Sequence, residues 1–294
     1  MCGRIARRGV AAAAALLLLP ATAGGEEVRI VRRGLDGRES VETVDLEDYV
    51  AAVVGAEMPP GFPAAALQAQ AVAARTYAVL KKLEARTEGR DADLGTSTRS
   101  QVYPGQGAVD PRARAAAEAT RGEVLVKDHL PIGAYYHSTC GGRTESGAEA
   151  LGRDLPYLPS VECGRCQDSP KARWTRRLSA EELGRAAGLG GAATSVAVTA
   201  RTPSGRAAAV EVASGERRVR LPGPELRQLV GLDRLPSLAF TVREEPGAFL
   251  FEGRGSGHGA GLCQWGAAGW ARAGEGYRQI LARYYPGTEI VRMY

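Results

Sequence analysis

Apolar residues recur at spacings of three and four in two neighbouring stretches, the period of a helix with one buried face. The first holds Leu46, Tyr49, Val50, Val53 and Val54; the second holds Leu67, Ala71, Ala74, Tyr77 and Ala78, with the polar Gln70 inside the stripe. Between them, Met58-Pro59-Pro60-Gly61-Phe62-Pro63 reads as a tight elbow, with Pro63 in the first turn of the second helix, where a missing N–H costs nothing. Most of the second stripe is small, which lets another element approach closely. Glu57 follows Val53 and Val54 by four and three residues, so the pattern places a carboxylate on the apolar face at a helix C-terminus.

Further along, the pattern alternates. Val28 to Arg33 and Glu42 to Val44 read as strands leading into the first helix, and Glu84 to Ser100 as an exposed loop. Asp110 to Thr120 reads as a helix, with Asp110 as N-cap and Pro111 at its first position. Glu123 to Val126 and Ile132 to Tyr136 read as a strand pair, and Ser179-Ala180-Glu181-Glu182 as a capping box that opens a short helix. Strand-like runs follow at Ser195 to Arg201, Ala207 to Ala213 and Arg217 to Leu221. A short helix is expected over Gly223 to Leu232, then strands at Leu238 to Arg243 and Ala248 to Glu252. Leu262 to Arg272 and Glu275 to Tyr285 read as two last helices. The expected class is α+β, with mostly antiparallel strands forming a cleft and a β-rich side lobe at about residues 178–246.

Composition changes this picture at the N-terminus. Arg4, Arg7 and Arg8 precede the apolar run Val10 to Leu19, and Ala21-Thr22-Ala23 has the small-x-small form of a signal cleavage site. The run is too short to span a bilayer. The expectation is a signal peptide over residues 1–23 and an exported protein of the cell envelope, periplasmic or extracellular. Loss of three arginines lowers the formal charge from +5 to +2. With no basic run interleaved with aromatics, nucleic acid is not an expected partner.

Two groups of residues carry candidate chemistry. The negative end of a helix dipole and partial burial both disfavour a charge on Glu57, which suits a general acid. A solvated helix-terminal glutamate is the plain alternative. Gln70 and Arg75 sit across the elbow, either as substrate contacts near Glu57 or as a helix-end hydrogen bond and a surface charge. The second group is His137-Ser138-Thr139-Cys140 with Cys163-Gly164-Arg165-Cys166. His137, Cys140, Cys163 and Cys166 have the types and spacing of a closed structural zinc site. In an exported chain, disulfides among these cysteines compete with metal. Cys263 reads as a buried apolar filler.

Tyr49, Glu57-Met58-Pro59 and Leu67 to Tyr77 (LQAQAVAARTY) resemble the core motif of the stage II sporulation protein D family, which includes proteins named amidase enhancers. The resemblance continues through Gln101-Val102-Tyr103, Ser138 to Thr144 (STCGGRT) and Gly257 to Ala267 (GHGAGLCQWGA), and so covers nearly all of residues 28–294 in the family's order. It implies a peptidoglycan lytic transglycosylase with Glu57 as its acid and base. Glu57 would protonate the glycosidic oxygen and then accept the proton of the muramic 6-hydroxyl, leaving a 1,6-anhydro end. One carboxyl group suffices for that scheme, although ordinary glycoside hydrolysis uses two. Asp48 falls on the opposite helix face, and Glu145 is the more plausible neighbour. The resemblance also implies peptide-free glycan as substrate and a cell-wall amidase as partner. Some family members hold zinc near the glycine turn.

Within this frame Gly141 and Gly142 allow a close-approaching turn, and Ser138 and Thr144 supply hydroxyls for sugars. A plain hairpin turn is the alternative. His258, flanked by glycines, would be lifted toward the cleft, with Gln264 and Trp265 behind it; Trp265 is either core or a stacking ring. Gly255-x-Gly257-x-x-Ala260 matches a dinucleotide fingerprint loosely but no βαβ unit follows. Two rivals remain: a non-catalytic glycan-binding activator of an amidase, and a thiol-redox or metal-handling protein built on Cys163 and Cys166.

Overall fold

A computed structural model describes residues 25–33, 38–95, 101–105, 107 and 109–294. The expected signal peptide lies outside the described residues. The fold is α+β, in several small and mostly antiparallel sheets.

Strand β1 (Glu27–Arg33) pairs antiparallel with β2 (Glu39–Asp45), and β3 (Leu94–Gly95) joins β1 in parallel. Asp45 ends β2 and caps helix α1 (Leu46–Glu57), its side chain accepting the N–H groups of Glu47 at 2.8 Å and Asp48 at 3.2 Å. That cap satisfies donors a helix start leaves unpaired. The apolar stripe of α1 is buried as its spacing requires, from Leu46 and Tyr49 to Val53 and Val54. Each such aliphatic side chain contributes about 1.5–3 kcal/mol by leaving water.

Helix α2 (Ala64–Glu88) is the axis of the larger core. It runs into the stretch expected as loop and stops at Gly89, which takes a left-handed φ of 66°. Seven of its fourteen buried residues are alanines, which lets it pack closely against α1, α3 (Pro111–Ala119), α7 (Gln264–Arg272), α8 (Tyr277–Tyr284) and β4 (Glu123–Lys127). Asp110 and Pro111 start α3 as their types predict, with Arg112 N–H donating to Asp110 Oδ1 at 2.7 Å.

Strand β4 pairs with β5 (Leu130–Pro131) and, on its other side, with β14 (Glu289–Arg292). The expected strand over Ile132 to Tyr136 is therefore corrected. The hairpin closes earlier, because Asp128 and His129 both take positive φ and turn the chain within two residues. Only Tyr136–His137 (β6) is strand, paired in parallel with β13 (Leu262–Cys263).

After the short helix α4 (Gly147–Leu151) the chain enters a second apolar core, formed by residues between Trp174 and Phe251. It contains β7 (Trp174–Ser179), α5 (Ala180–Ala186), β8 (Ser195–Arg201), β9 (Ala207–Ser214), β10 (Arg217–Pro222), α6 (Gly223–Val230), β11 (Phe240–Glu245) and β12 (Ala248–Gly253). The strands form two three-stranded antiparallel sheets, β10-β9-β8 and β11-β12-β7. Ser179 caps α5 by accepting Glu182 N–H at 3.1 Å. This β-rich lobe meets the first core at the glycine turn. Arg206, buried in the turn between β8 and β9, donates to the carbonyl oxygens of Cys140 at 2.8 Å and Arg143 at 3.0 Å.

Candidate active site

Glu57 is the last residue of α1, half-buried, where the chain leaves the helix for the elbow. Arg112 holds that elbow from α3, donating to Pro60 O at 2.6 Å and Phe62 O at 2.9 Å. Three donors from distant parts of the chain converge on the Glu57 carboxyl group. Val102 N–H donates to Oε1 at 3.1 Å and Tyr136 Oη to the same oxygen at 3.5 Å. Gln264 Nε2 lies 3.4 Å from Oε2 and also 3.4 Å from Gln70 Oε1. The last three contacts are long for hydrogen bonds. Oε1 takes two donors and Oε2 one, so Oε2 keeps the freer lone pair.

Two of the donors, Val102 and Tyr136, have their own support. Tyr49 Oη donates to buried Gln101 Oε1 at 2.7 Å, fixing the residue before Val102. Burial, and then the nearby charge of Glu57, push the Tyr136 hydroxyl well above its usual range, so it remains a proton donor in hydrogen bonds. The His258 ring holds the Tyr136 backbone: Nε2 lies 2.9 Å from Tyr136 O, and Nδ1 accepts Ala260 N–H at 3.1 Å. A ring nitrogen that accepts an N–H carries no proton, so Nε2 is the donor to Tyr136 O. Burial pushes this imidazole down to about 4, and Arg227 and Arg206 push the same way. His258 therefore spends both nitrogens on backbone; it is a neutral strap behind the site, where a substrate contact was expected.

The other expected substrate contacts divide. Gly141 and Gly142 form the turn foreseen for them, at φ 76° and 113°, with Gly142 exposed. Ser138 is half-buried, its Oγ 3.2 Å from Thr139 Oγ1. Gln70 and Gln264 are buried behind the carboxyl group, and Gln70 Nε2 has no partner among the described residues. Arg75 is a correction: fully buried, it pairs with Glu47, with Nε to Oε1 at 2.8 Å, and donates to Ala117 O at 3.1 Å and Glu123 O at 3.2 Å. It joins α1, α2 and α3 and does not face a ligand. Thr144 is a second correction. Buried, it accepts Val161 N–H at 2.8 Å and so braces the segment after the turn. Glu145 is buried too, accepting from Thr202 Oγ1 at 2.6 Å and Ser204 Oγ at 2.7 Å, and Asp48 pairs with Arg114 at the surface. Neither acid is spent on Glu57. Trp265 packs its ring edge-on to Phe62, with centroids 4.9 Å apart.

The thiol group differs from its expected membership. Cys140, Cys163, Cys166 and Cys263 are all buried, and their sulfurs lie within 4.8 Å of one another. His137 is not among them: its Nδ1 lies 3.0 Å from Ala260 O, and burial holds the ring well below its usual pKa. Cys263, expected as filler, is the fourth member, because β13 lies beside β6 and carries it next to the glycine turn. A tetrahedron with zinc–sulfur bonds of about 2.3 Å has edges of about 3.8 Å. Cys140 Sγ and Cys166 Sγ are 3.6 Å apart. Backbone N–H groups also point at the sulfurs: Cys140 N and Gly266 N at Cys263 Sγ (3.2 and 3.3 Å), and Gly142 N at Cys140 Sγ (3.4 Å). Such donors stabilise thiolates. Four sulfur donors around one point fit zinc, and a closed four-thiolate set leaves no open position for catalysis.

Sequence comparison bears on the whole arrangement. Residues 36–126 match the family described as Stage II sporulation protein, and residues 166–261 match a domain of unknown function, DUF8618. The stage II sporulation protein D of Bacillus amyloliquefaciens is 34% identical over 266 residues, covering 85% of this chain and 75% of the relative. An uncharacterized protein of Brachyspira hyodysenteriae is 36% identical over 255 residues, 85% of this chain and 68% of the relative. The amidase enhancer of Bacillus subtilis is 29% identical over 290 residues, which covers 39% of that longer protein. With Glu57 held beside Gln264 at the start of α7, and with these matches along its length, the chain belongs to the stage II sporulation protein D family.

Proposed function

We propose that this protein acts on the cell wall by cutting peptidoglycan glycan strands as a lytic transglycosylase, after export to the envelope. The observation that carries the reading is the Glu57 carboxyl group. It is half-buried at a helix end and held by a backbone N–H, a tyrosine hydroxyl and an amide, all neutral. The acids at Asp48 and Glu145 are tied elsewhere, so the chemistry falls to one group.

One group is enough for the reaction. Protonated Glu57 gives its proton to the glycosidic oxygen, and the bond from that oxygen to C1 of the muramic residue breaks. The 6-hydroxyl oxygen of the same residue then bonds to C1 and its proton passes to the carboxylate. Water is not consumed, and Glu57 returns to its starting state. Oε2 is the oxygen suited to this exchange, since Oε1 is already committed to Val102 and Tyr136. The Gly141-Gly142 turn and Ser138 would line the groove on one side, and peptide-free glycan is the expected substrate.

Cys140, Cys163, Cys166 and Cys263 would hold a structural zinc, whose chemistry here is to cross-link the three segments that carry them. The alternative reading, a glycan-binding activator of a cell-wall amidase, is favoured by the match to the amidase enhancer. One experiment separates the two. Purified protein is incubated with peptide-free glycan, and the new ends are identified by mass spectrometry. A transglycosylase yields 1,6-anhydro-muramic ends that disappear in Glu57→Gln. If no anhydro ends form while amidase activity rises on mixing, the activator is the correct reading.

A further inference from the structure

The two arms that reach Glu57 are short. β6 and β13 share only the pairs Leu262↔Tyr136 and Cys263↔His137, in parallel. A two-stranded ribbon of this length does not persist in water unaided. Yet each arm delivers one donor, Tyr136 to Oε1 and Gln264 to Oε2. Both arms also run into the thiol cluster. Gln264 directly follows Cys263, and Cys140 lies four residues beyond Tyr136. Cross-ties join the arms there: Cys140 N–H to Cys263 Sγ at 3.2 Å and Trp265 N–H to Ser138 O at 3.1 Å. Cys163 and Cys166 come from a third segment, and Cys163 Sγ lies 3.1 Å from Tyr284 Oη of α8.

We propose that the four-thiolate centre is a positioning device for the acid: by joining the arm of Cys140 to the arm of Cys263, it holds Tyr136 and Gln264 against the two oxygens of Glu57. Cys263 is then a positioning residue that acts through its neighbour Gln264. The proposal rests on the assignment of Glu57 and on zinc as the metal. It explains why a thiol stands at position 263, where any small apolar side chain would fill the space.

The test compares the full chain as purified, after zinc removal by a chelator under reducing conditions, and after zinc is restored. Three things are measured: zinc content, kcat and KM on peptide-free glycan, and hydrogen exchange at the amides of Cys140, Trp265 and Gly266. The expected result is one zinc per chain. Its removal lowers kcat on the order of 10²-fold with KM little changed, as a displacement of about 1 Å at the reacting group does. The three amides exchange faster while those in the middle of α2 stay protected, and zinc restores both. Cys263→Ser reproduces the stripped state in the presence of zinc. The proposal is overturned if the reduced protein holds no stoichiometric zinc, or if zinc leaves without change in the three amides. It is equally overturned if α2 loses protection in step with them, which would be general unfolding. The exchange measurement needs no turnover, so loss of the tie between the two arms is told apart from failure of the glycan-cleavage reading, which Glu57→Gln tests by itself.

Discussion

Arg75 Nε donates to Glu47 Oε1 at 2.8 Å in the closed space between α1 and α2, and neither side chain reaches solvent. Burial pushes the Glu47 carboxyl up, but Arg75, Tyr294 Oη and Gly122 N–H outweigh it and hold the group below its usual value. A guanidinium left here without its acid would be an unpaired buried charge, costing about 3–5 kcal/mol. Glu47→Ala should therefore lower the urea midpoint sharply. The kcat of the molecules that remain folded should be unchanged. A loss of kcat at full stability would mean that Arg75 serves the substrate after all.

Gln264 and Tyr136 should behave oppositely to Arg75. A hydrogen bond to a charged group is worth about 1.5–3 kcal/mol, or roughly 10- to 100-fold in rate when it is made to the reacting group. Gln264→Ala and Tyr136→Phe should each cost kcat within that range and leave the melting temperature nearly unchanged. Steady-state kinetics on peptide-free glycan with parallel thermal melts would check this. An unaltered kcat in both variants would remove the donors from the mechanism.

Acid should destabilise the fold through His258. Its imidazole, near 6.5 when unfolded, is pushed down to about 4 in the folded protein, chiefly by burial. Between those values the unfolded chain binds the extra proton, so stability rises with pH across the window. It is complete above about pH 6.5 and lost as pH falls toward about 4, by an amount on the order of 3 kcal/mol. His137, also held neutral by burial, and Glu47, held ionised, add in the same direction. Melting temperatures recorded between about pH 7 and pH 4 should fall. Replacing His258 by Gln should flatten the part of the slope that belongs to it.

Two glycines near the site should differ in tolerance. A Cβ at Gly261 would stand 2.0 Å from the carbonyl oxygen of Tyr135, with φ at 71°. Backbone meets backbone there, so Gly261→Ala should yield little folded protein. At Gly142 a Cβ meets open space and only the φ of 113° is strained. Gly142→Ala should fold and lose about 1–3 kcal/mol. Expression yield and denaturant titration would measure the contrast, and equal losses at both positions would contradict it.

The order of elements is largely legible in the sequence. Asp110-Pro111 and Ser179 with Glu182 mark helix starts by local chemistry, and the alternation over 195–222 marks three strands; these signals act over a few residues. The two-residue strands β6 and β13 have no such signal, since they exist only because Tyr136 and Leu262 meet across the fold. Tyr136 was missed as a partner of Glu57 for that reason. The glycines on both sides of His258 suggested exposure, while in the fold they let the loop lie close against its neighbours: a Cβ at Gly257 would meet His137 Cβ at 2.8 Å and one at Gly259 the Arg206 guanidinium at 2.9 Å.

By itself the sequence determined the two-helix elbow, the position of Glu57 at its edge, the glycine turn and the family motifs, because periodicity, caps and turn chemistry are local properties. Tertiary structure alone decided which side chains face Glu57 and which are buried struts. Arg75, Thr144 and Glu145 found partners 17 to 59 residues away, and Gln264 found Glu57 across 207. It also decided the thiol set. Spacing pointed to His137 beside Cys140, but the direction of a side chain on a strand depends on what the strand pairs with, and β13 brought Cys263 to that place.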